Sequence, residues 1–325
     1  MSRRVLVLAG GLSYERDVSL RSGRRVVDAL RRAGMEATVR DADSSLLAAL
    51  DAERPDAVVI ALHGAIGEDG ALRGVLDLVG VPYVGPGAQA SRVAWDKPSA
   101  KAELREAGIP TPDWVALPHE TFRELGAQAV LDRIVDRLGL PLMVKPAQGG
   151  SGLGAHSVHL AEELPAAMVG CFGYGDTALI ERFVEGTDIA VTVVDSGSGP
   201  TALPAVEIVP ADGVYDYAAR YTAGTTRWHT PARLAPAVTQ KVSSIAIAAH
   251  RALALRDLSR VDMLVTRDGG VHVLEVNVSP GLTETSLLPM AVTAAGLDLG
   301  VLLRDLIDQA IERASSTPRT AAHSN

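Results

Sequence analysis

The period of apolar and polar positions changes several times along this chain, and each change predicts an element. The unbroken apolar run Val5-Leu-Val-Leu-Ala9 predicts a buried strand over residues 4–10. Helical spacing from Ser19 to Ala33, stopped by Gly34, predicts a helix. Strands over 36–41 and 56–62 flank a helical stretch at 46–50, and this alternation predicts a parallel sheet with crossover connections. Helices follow over 88–95 and 99–107, with Pro98 tolerated in a first turn. A short strand at 114–117 and one amphipathic helix over 120–138 come next. Strands over 142–146, 156–160, 189–195, 203–209, 261–266 and 271–277, with an Ala-rich helix over 235–255, predict antiparallel pairing covered by helices.

Placing polar residues on this framework brings out candidate chemistry. Val271-His-Val-Leu-Glu275-Val-Asn277 delivers a carboxylate and a carboxamide onto one strand face. The turn signal Thr266-Arg-Asp-Gly-Gly270 folds the preceding run back, so Asp262 comes beside Glu275 and Asn277. Three oxygen ligands on one hairpin suit a hard cation such as magnesium; a buried polar core group is the plainer alternative for Asp262. Pro280-Gly281 ends the strand. Lys145 closes another strand and is followed by Gly149-Gly-Ser-Gly-Leu-Gly154, whose backbone amides can converge on an anion beside the ammonium. A flexible hairpin between strands explains that run equally well, and no Walker lysine follows it.

The loops after the first and third strands, residues 10–19 and 63–70, lie where ligands gather in parallel sheets. Each also has a structural explanation; Glu68-Asp69-Gly70 suits a cap for a helix starting near Ala71. Glu181, Val184 and Asp188 lie where an apolar strand turns acidic, a pattern that serves an adenine and ribose site or surface ion pairs. Residues 214–224 are too polar for a core and too rich in Tyr for a linker, as a lid over a site would be.

Composition narrows the function. The chain has 325 residues, enough for two or three domains, and 47% hydrophobic residues with 4% aromatic, a balance typical of buried α/β sheets. A net charge of −8 leaves no basic surface for nucleic acid. Cys171 is the only cysteine, which excludes an intrachain disulfide and a thiolate cluster and fits a reducing cytoplasm. No window has the apolar length of a membrane helix, and the polar tail from Ser315 has the composition of a disordered segment.

The motifs taken together resemble the D-alanine–D-alanine ligases of the ATP-grasp superfamily, to about residue 314. The resemblance lies in Gly10-Gly11 with Glu15 and Val18-Ser-Leu20, Ala61-Leu-His63-Gly64, Gly67-Glu-Asp-Gly70, Asp96-Lys97, Lys145-Pro146, Gly150-Ser151, Tyr215-Asp-Tyr217, Tyr221, Arg260-Val-Asp262, Leu274-Glu-Val-Asn277 and Ser279-Pro-Gly281. It implies an α/β protein of ATP-grasp fold. An N-terminal parallel domain, 1–96, would precede two α+β domains, 97–184 and 185–314, that clamp ATP between them, with a disordered tail over 315–325.

The resemblance also implies roles. Lys97 and Lys145 would hold the ATP phosphates beneath the loop carrying Gly150 and Ser151, with Arg220 from the lid. Glu181, Val184 and Asp188 would meet adenine and ribose, and Asp262, Glu275 and Asn277 would bind two magnesium ions, or manganese in their place. Glu15, linked to Ser151 and Tyr221, would bind the ammonium of the first D-alanine. His63 would lie near the second, Ser286 and Leu287 would take its carboxylate, and Arg260 with the Gly281 amide would face the oxyanion. The family implies a cytoplasmic homodimer without nucleic-acid or membrane partners, supplying peptidoglycan precursor. Tyr221 separates it from depsipeptide-forming relatives, which carry phenylalanine there. Gly149, Gly152, Arg220 and Val278 depart from the usual pattern, which leaves open an ATP-grasp ligase joining other amino acids. A non-catalytic nucleotide-binding protein is the third reading, and it predicts loss of the metal ligands or Arg260, all of which are present.

Overall fold

In the computed structural model, residues 3–211 and 224–316 are described. Arg220, Tyr221 and nearly all of the expected lid lie outside the described residues, as does the tail beyond Ser316.

The first apolar run forms β1 (Arg4–Leu8), followed by α1 (Arg16–Arg32), β2 (Glu36–Arg40), α2 (Leu46–Glu53), β3 (Ala57–Ile60), α3 (Ala65–Glu68), α4 (Ala71–Val79) and β4 (Tyr83–Val84). The strands pair in parallel in the order β2-β1-β3-β4, as the alternation predicts. Both faces of β1 are buried because successive side chains enter different cores: Val5 and Val7 pack with Val26 and Leu30, Leu6 and Leu8 with Leu46, Leu50 and Leu76. Helix α1 starts three residues before the expected Ser19, which puts Glu15 at its N-cap.

Next come α5 (Ala88–Trp95) and α6 (Lys97–Glu106). Asp96 caps α6, its Oδ1 accepting from the Ser99 amide at 3.0 Å, and Pro98 occupies the first turn. Then follow β5 (Trp114–Pro118), α7 (His119–Leu125), α8 (Ala127–Leu138), β6 (Leu142–Pro146), β7 (His156–Val158), α9 (Leu164–Phe172) and β8 (Thr177–Arg182), an antiparallel sheet ordered β5-β8-β6-β7. The single helix expected over 120–138 is two helices. Gly126 adopts φ +88°, outside helical space, and redirects the chain although the apolar period continues past it.

The third sheet contains β9 (Thr187–Val194), β10 (Thr201–Ala202), β11 (Val206–Pro210), β12 (Thr226–His229), β13 (Leu258–Val265) and β14 (Val271–Asn277), with α10 (Pro236–Ala252) across it. The strand expected over 203–209 begins only at Val206, since residues 203–205 connect β10 to β11 and Pro204 among them cannot donate to a ladder. β13 begins before the expected residue 261 because Leu258, Ser259 and Arg260 pair with Val194, Val193 and Thr192 of β9. Two helices complete the fold, α11 (Leu287–Ala294) and α12 (Leu299–Ser316). Their Leu287, Leu303 and Ile307 share one core with Val5 and Val59 of the parallel sheet and Val206 of the third sheet. That shared core holds the loops after β1 and β3 against the end of β14. Among the described residues no single helix is long and apolar enough to cross a membrane.

Candidate active site

The hairpin read from the sequence forms. β13 and β14 pair antiparallel with Arg260 opposite Asn277 and Asp262 opposite Glu275, so these four side chains share one face. Arg260 grips Asp262 with both arms of its guanidinium, Nε to Oδ1 and Nη2 to Oδ2, each at 2.7 Å. Glu275 Oε2 lies 3.4 Å from Lys97 Nζ, and Asn277 Oδ1 accepts from the Ser279 amide at 2.9 Å. Among the described residues no three His, Cys, Asp or Glu side chains form a metal cluster. The candidate set is instead two carboxylates and a carboxamide, oxygen donors whose negative charge is met here by Arg260 and Lys97. That donor chemistry fits a hard divalent cation.

A cavity of about 350 Å³ lies between the two antiparallel sheets and is lined by Lys97, Lys145, Gly150, Glu181, Val184, Asp188, Asp262 and Glu275. Lys97 begins α6; its Nζ donates to the Gly149 carbonyl at 2.5 Å, and its backbone amide donates to Ala147 at 2.9 Å. The helix start is thereby tied to the glycine loop. That loop is the β6–β7 hairpin connection, as the plainer reading of it expects. Glu181 lines the cavity, but its carboxylate is spent between two ammonium groups, Lys145 at 2.5 Å and Lys101 at 2.6 Å. Burial alone would raise the Glu181 carboxyl, yet Lys145 and Lys101 outweigh it and hold it below the usual range. Burial in turn lowers Lys101 to about 8, with Glu181 opposing. Sequence reasoning missed Lys101. Its signal was the spacing from Lys97, which puts both lysines on one face of α6.

A second cavity, of about 80 Å³, is lined by Glu15, His63, Glu68, Gly150, Ser151, Arg260, Glu275, Asn277, Gly281, Ser286 and Leu287. Gly150 and Glu275 line both cavities, so the two meet there. Ser151, at φ +57°, donates from Oγ to Glu15 Oε1 at 2.5 Å, joining the glycine loop to the start of α1. His63 Nδ1 lies 3.2 Å from the Ser279 carbonyl oxygen and therefore carries the ring proton, which leaves Nε2 to accept from Ser22 Oγ at 3.3 Å. Ser22 Oγ itself accepts from the Leu282 amide at 3.2 Å. Burial, opposed by Glu15, lowers the His63 pKa and favours neutral imidazole. Ser286 precedes α11, and its Oγ turns back to accept from the Thr283 amide at 3.0 Å.

The two acidic residues expected to cap α4 divide their work. Asp69 Oδ1 accepts from the Ala71 amide at 2.8 Å, as a cap would. Glu68 is buried and accepts from the Gly64 amide at 2.9 Å. Burial first, then the charges of Glu15 and Glu275, push its carboxyl up to about 8 against the opposing Gly64 amide and Lys97. Glu68 is therefore protonated in the folded protein at neutral pH and ionised in the unfolded chain. Its contribution to stability is complete below 4.5 and is lost as pH rises through about 8. Glu68→Gln keeps an acceptor for Gly64 and cannot ionise. Denaturant midpoints for the variant should match the parent near about pH 5 and exceed it near about pH 8.5. Parallel midpoint curves would show Glu68 to be ionised in the fold.

Comparison with known proteins places this geometry in a family. The family model described as D-ala D-ala ligase C-terminus matches residues 104–308. The D-alanine–D-alanine ligase of Anaeromyxobacter dehalogenans is 41% identical over 312 residues, covering 96% of this chain and 98% of that protein. The crystal structure of the D-alanine–D-alanine ligase from Bacillus anthracis superposes with a TM-score of 0.83 at 32% identity, covering 97% of this chain and 99% of that one. The same enzyme complexed with ATP superposes with a TM-score of 0.80 at 30% identity, with the same coverage. The parallel sheet followed by two antiparallel sheets is the ATP-grasp architecture of these relatives. With a family model spanning more than half its length and a relative matched nearly end to end, the chain belongs to the D-alanine–D-alanine ligase family.

Proposed function

We infer that the chain uses ATP to join two D-alanine molecules into D-alanyl-D-alanine through a D-alanyl phosphate, in the synthesis of peptidoglycan precursor. The observation that carries this reading is the meeting of the two cavities at Glu275 and Gly150. One is large enough for a nucleotide and carries two lysines. The other is small and polar and has a carboxylate, Glu15, at its wall. A carboxylate bound in the smaller cavity would face a γ-phosphate held in the larger.

In the first step a carboxylate oxygen of one D-alanine attacks the γ-phosphorus and ADP leaves. Lys97 and Lys145 would hold the phosphates in line, and Glu15, fixed by Ser151, would hold the D-alanine ammonium. In the second step the amine of another D-alanine, having lost a proton, attacks the acyl carbon and phosphate leaves. Arg260 and the Gly281 amide would meet the negative charge that develops on the carbonyl oxygen. His63 would lie beside the acceptor, and the start of α11 at Ser286 and Leu287 would receive its carboxylate. Arg220 and Tyr221 lie outside the described residues; the family resemblance would give Arg220 a part at the phosphates and Tyr221 one with Ser151. Val184 and Asp188 would meet adenine and ribose. Glu181, with its carboxylate engaged by two lysines, would border that pocket and fix Lys145.

Asp262, Glu275 and Asn277 would hold the two magnesium ions. When bound, the ions would spread the charge of the phosphates during transfer. A homodimer and a cytoplasmic location follow from the family resemblance; sedimentation of the full chain tests the first.

The deciding assay supplies ATP, magnesium and each D- and L-amino acid, singly and in pairs, and follows ADP release with product masses. D-alanine alone should give ADP and the dipeptide mass in equal amounts. Turnover with a different pair and none with D-alanine would overturn the reading.

A further inference from the structure

The roles above use Lys145 at the wall of the larger cavity and leave a second lysine behind it unexplained. Lys101 does not line that cavity, and its side chain is only 1% exposed. Three groups receive it. Its Nζ lies 2.6 Å from Glu181 Oε1, it donates to Thr111 Oγ1, and it sits 5.1 Å from the centre of the Trp114 ring. Thr111 Oγ1 in turn donates to the Val273 carbonyl oxygen at 2.8 Å, which fixes this anchor to β14. The other Glu181 oxygen holds Lys145 Nζ at 2.5 Å, and Lys145 remains 14% exposed toward the cavity. A buried ammonium carries a desolvation cost that a leucine or methionine in the same space would avoid. Packing alone therefore gives no reason for a lysine here.

Charge arithmetic supplies one. Glu181 with Lys145 alone is a neutral pair, and its carboxylate competes with any phosphate for the Lys145 ammonium. Adding Lys101 gives this three-residue cluster one net positive charge and divides the Glu181 carboxylate between two partners. Through a low-dielectric wall such a charge is felt strongly by an anion.

We propose that Lys101 is a positioning residue for the nucleotide phosphates, holding Glu181 so that Glu181 fixes Lys145 at the cavity wall and supplying the charge that leaves Lys145 available to a polyphosphate. This rests on the reading of the larger cavity as the ATP site. Lys101 touches neither substrate nor reacting atoms; it acts through Glu181 and Lys145.

The test titrates the full-length chain and its variants with ATP and with adenosine, which shares the base and ribose and has no phosphate. Lys101→Met should weaken ATP about tenfold and leave adenosine within about twofold. Lys101→Arg, which keeps the charge and can reach Glu181, should recover most of the ATP loss. Thr111→Val keeps every charge and removes only the hydroxyl that accepts from Lys101; it should weaken ATP about threefold with adenosine unchanged, and it serves where Lys101→Met does not fold. Equal losses for ATP and adenosine would make Lys101 a structural residue and overturn the proposal. Unchanged ATP binding in Lys101→Met, or in Thr111→Val where the first variant is unfolded, would also overturn it. Failure of the parent chain itself to bind ATP would instead refute the ATP-site reading.

Discussion

Glu275→Gln is expected to slow ADP formation by at least about 10³-fold, on the order of 4 kcal/mol of transition-state stabilisation, while the protein stays folded. Glu275 is the side chain that borders both cavities and that we propose as a metal ligand. The amide is nearly isosteric, so the pairing of β14 with β13 and the packing of Val273 and Val276 are untouched. Lys97 stands 3.4 Å from Glu275, whose carboxylate is 22% exposed, and a contact of that geometry contributes under about 1 kcal/mol to stability. A divalent cation loses much more, because a neutral oxygen replaces a full charge at its centre. Two measurements separate these effects. The melting temperature should move by only a few degrees, and ATP affinity should fall with magnesium present and change little without it. Retained ADP formation would mean that the metal ligands are misplaced.

The sequence made the local parts of this site legible and hid the parts assembled across the fold. The hairpin was readable from the Gly269-Gly270 turn, but its register was not: counted back from the turn Asp262 would face Leu274, and a bulge beside Met263 shifts it opposite Glu275. The parallel sheet was readable from alternating strand and helix periods. The division at Gly126 was not, since the apolar spacing of a helix continues across a residue whose φ breaks it. Nor was the pairing of Arg260 with Asp262. The sequence shows only that they share a face, and says nothing of whether each meets a ligand or the other. The charge environments of Lys101 and Glu68 became visible only with burial, because a lysine on a helix and a glutamate at a helix start are most often solvated. Both are buried beside charges distant in sequence, Lys101 against Glu181, Glu68 near Glu15 and Glu275. A local pattern reports which side of an element faces inward. It does not report what charge waits there.

The pairing of Arg260 with Asp262 shapes the second large prediction. Arg260 lines the smaller cavity with Gly281, is buried, and is held in one orientation by a two-point bond to Asp262. That bond fixes the guanidinium before substrate arrives, which is what a donor to a developing oxyanion requires. Arg260→Lys keeps the charge and the Asp262 partner but loses the fork, so the ammonium cannot bind Asp262 at two points and still present a donor in a fixed direction. Dipeptide formation should fall by about 10²- to 10³-fold, in line with roughly 3–4 kcal/mol for removing one oxyanion donor. The first step does not use this donor in the proposed mechanism, so D-alanyl phosphate should still form. Without rapid capture by the second amine it is open to hydrolysis. The ratio of ADP to dipeptide should therefore rise above the parent's one to one, while the KM for ATP stays within a few fold. A fall in ADP and dipeptide together, at an unchanged ratio, would put Arg260 in the first step instead, as the keeper of Asp262.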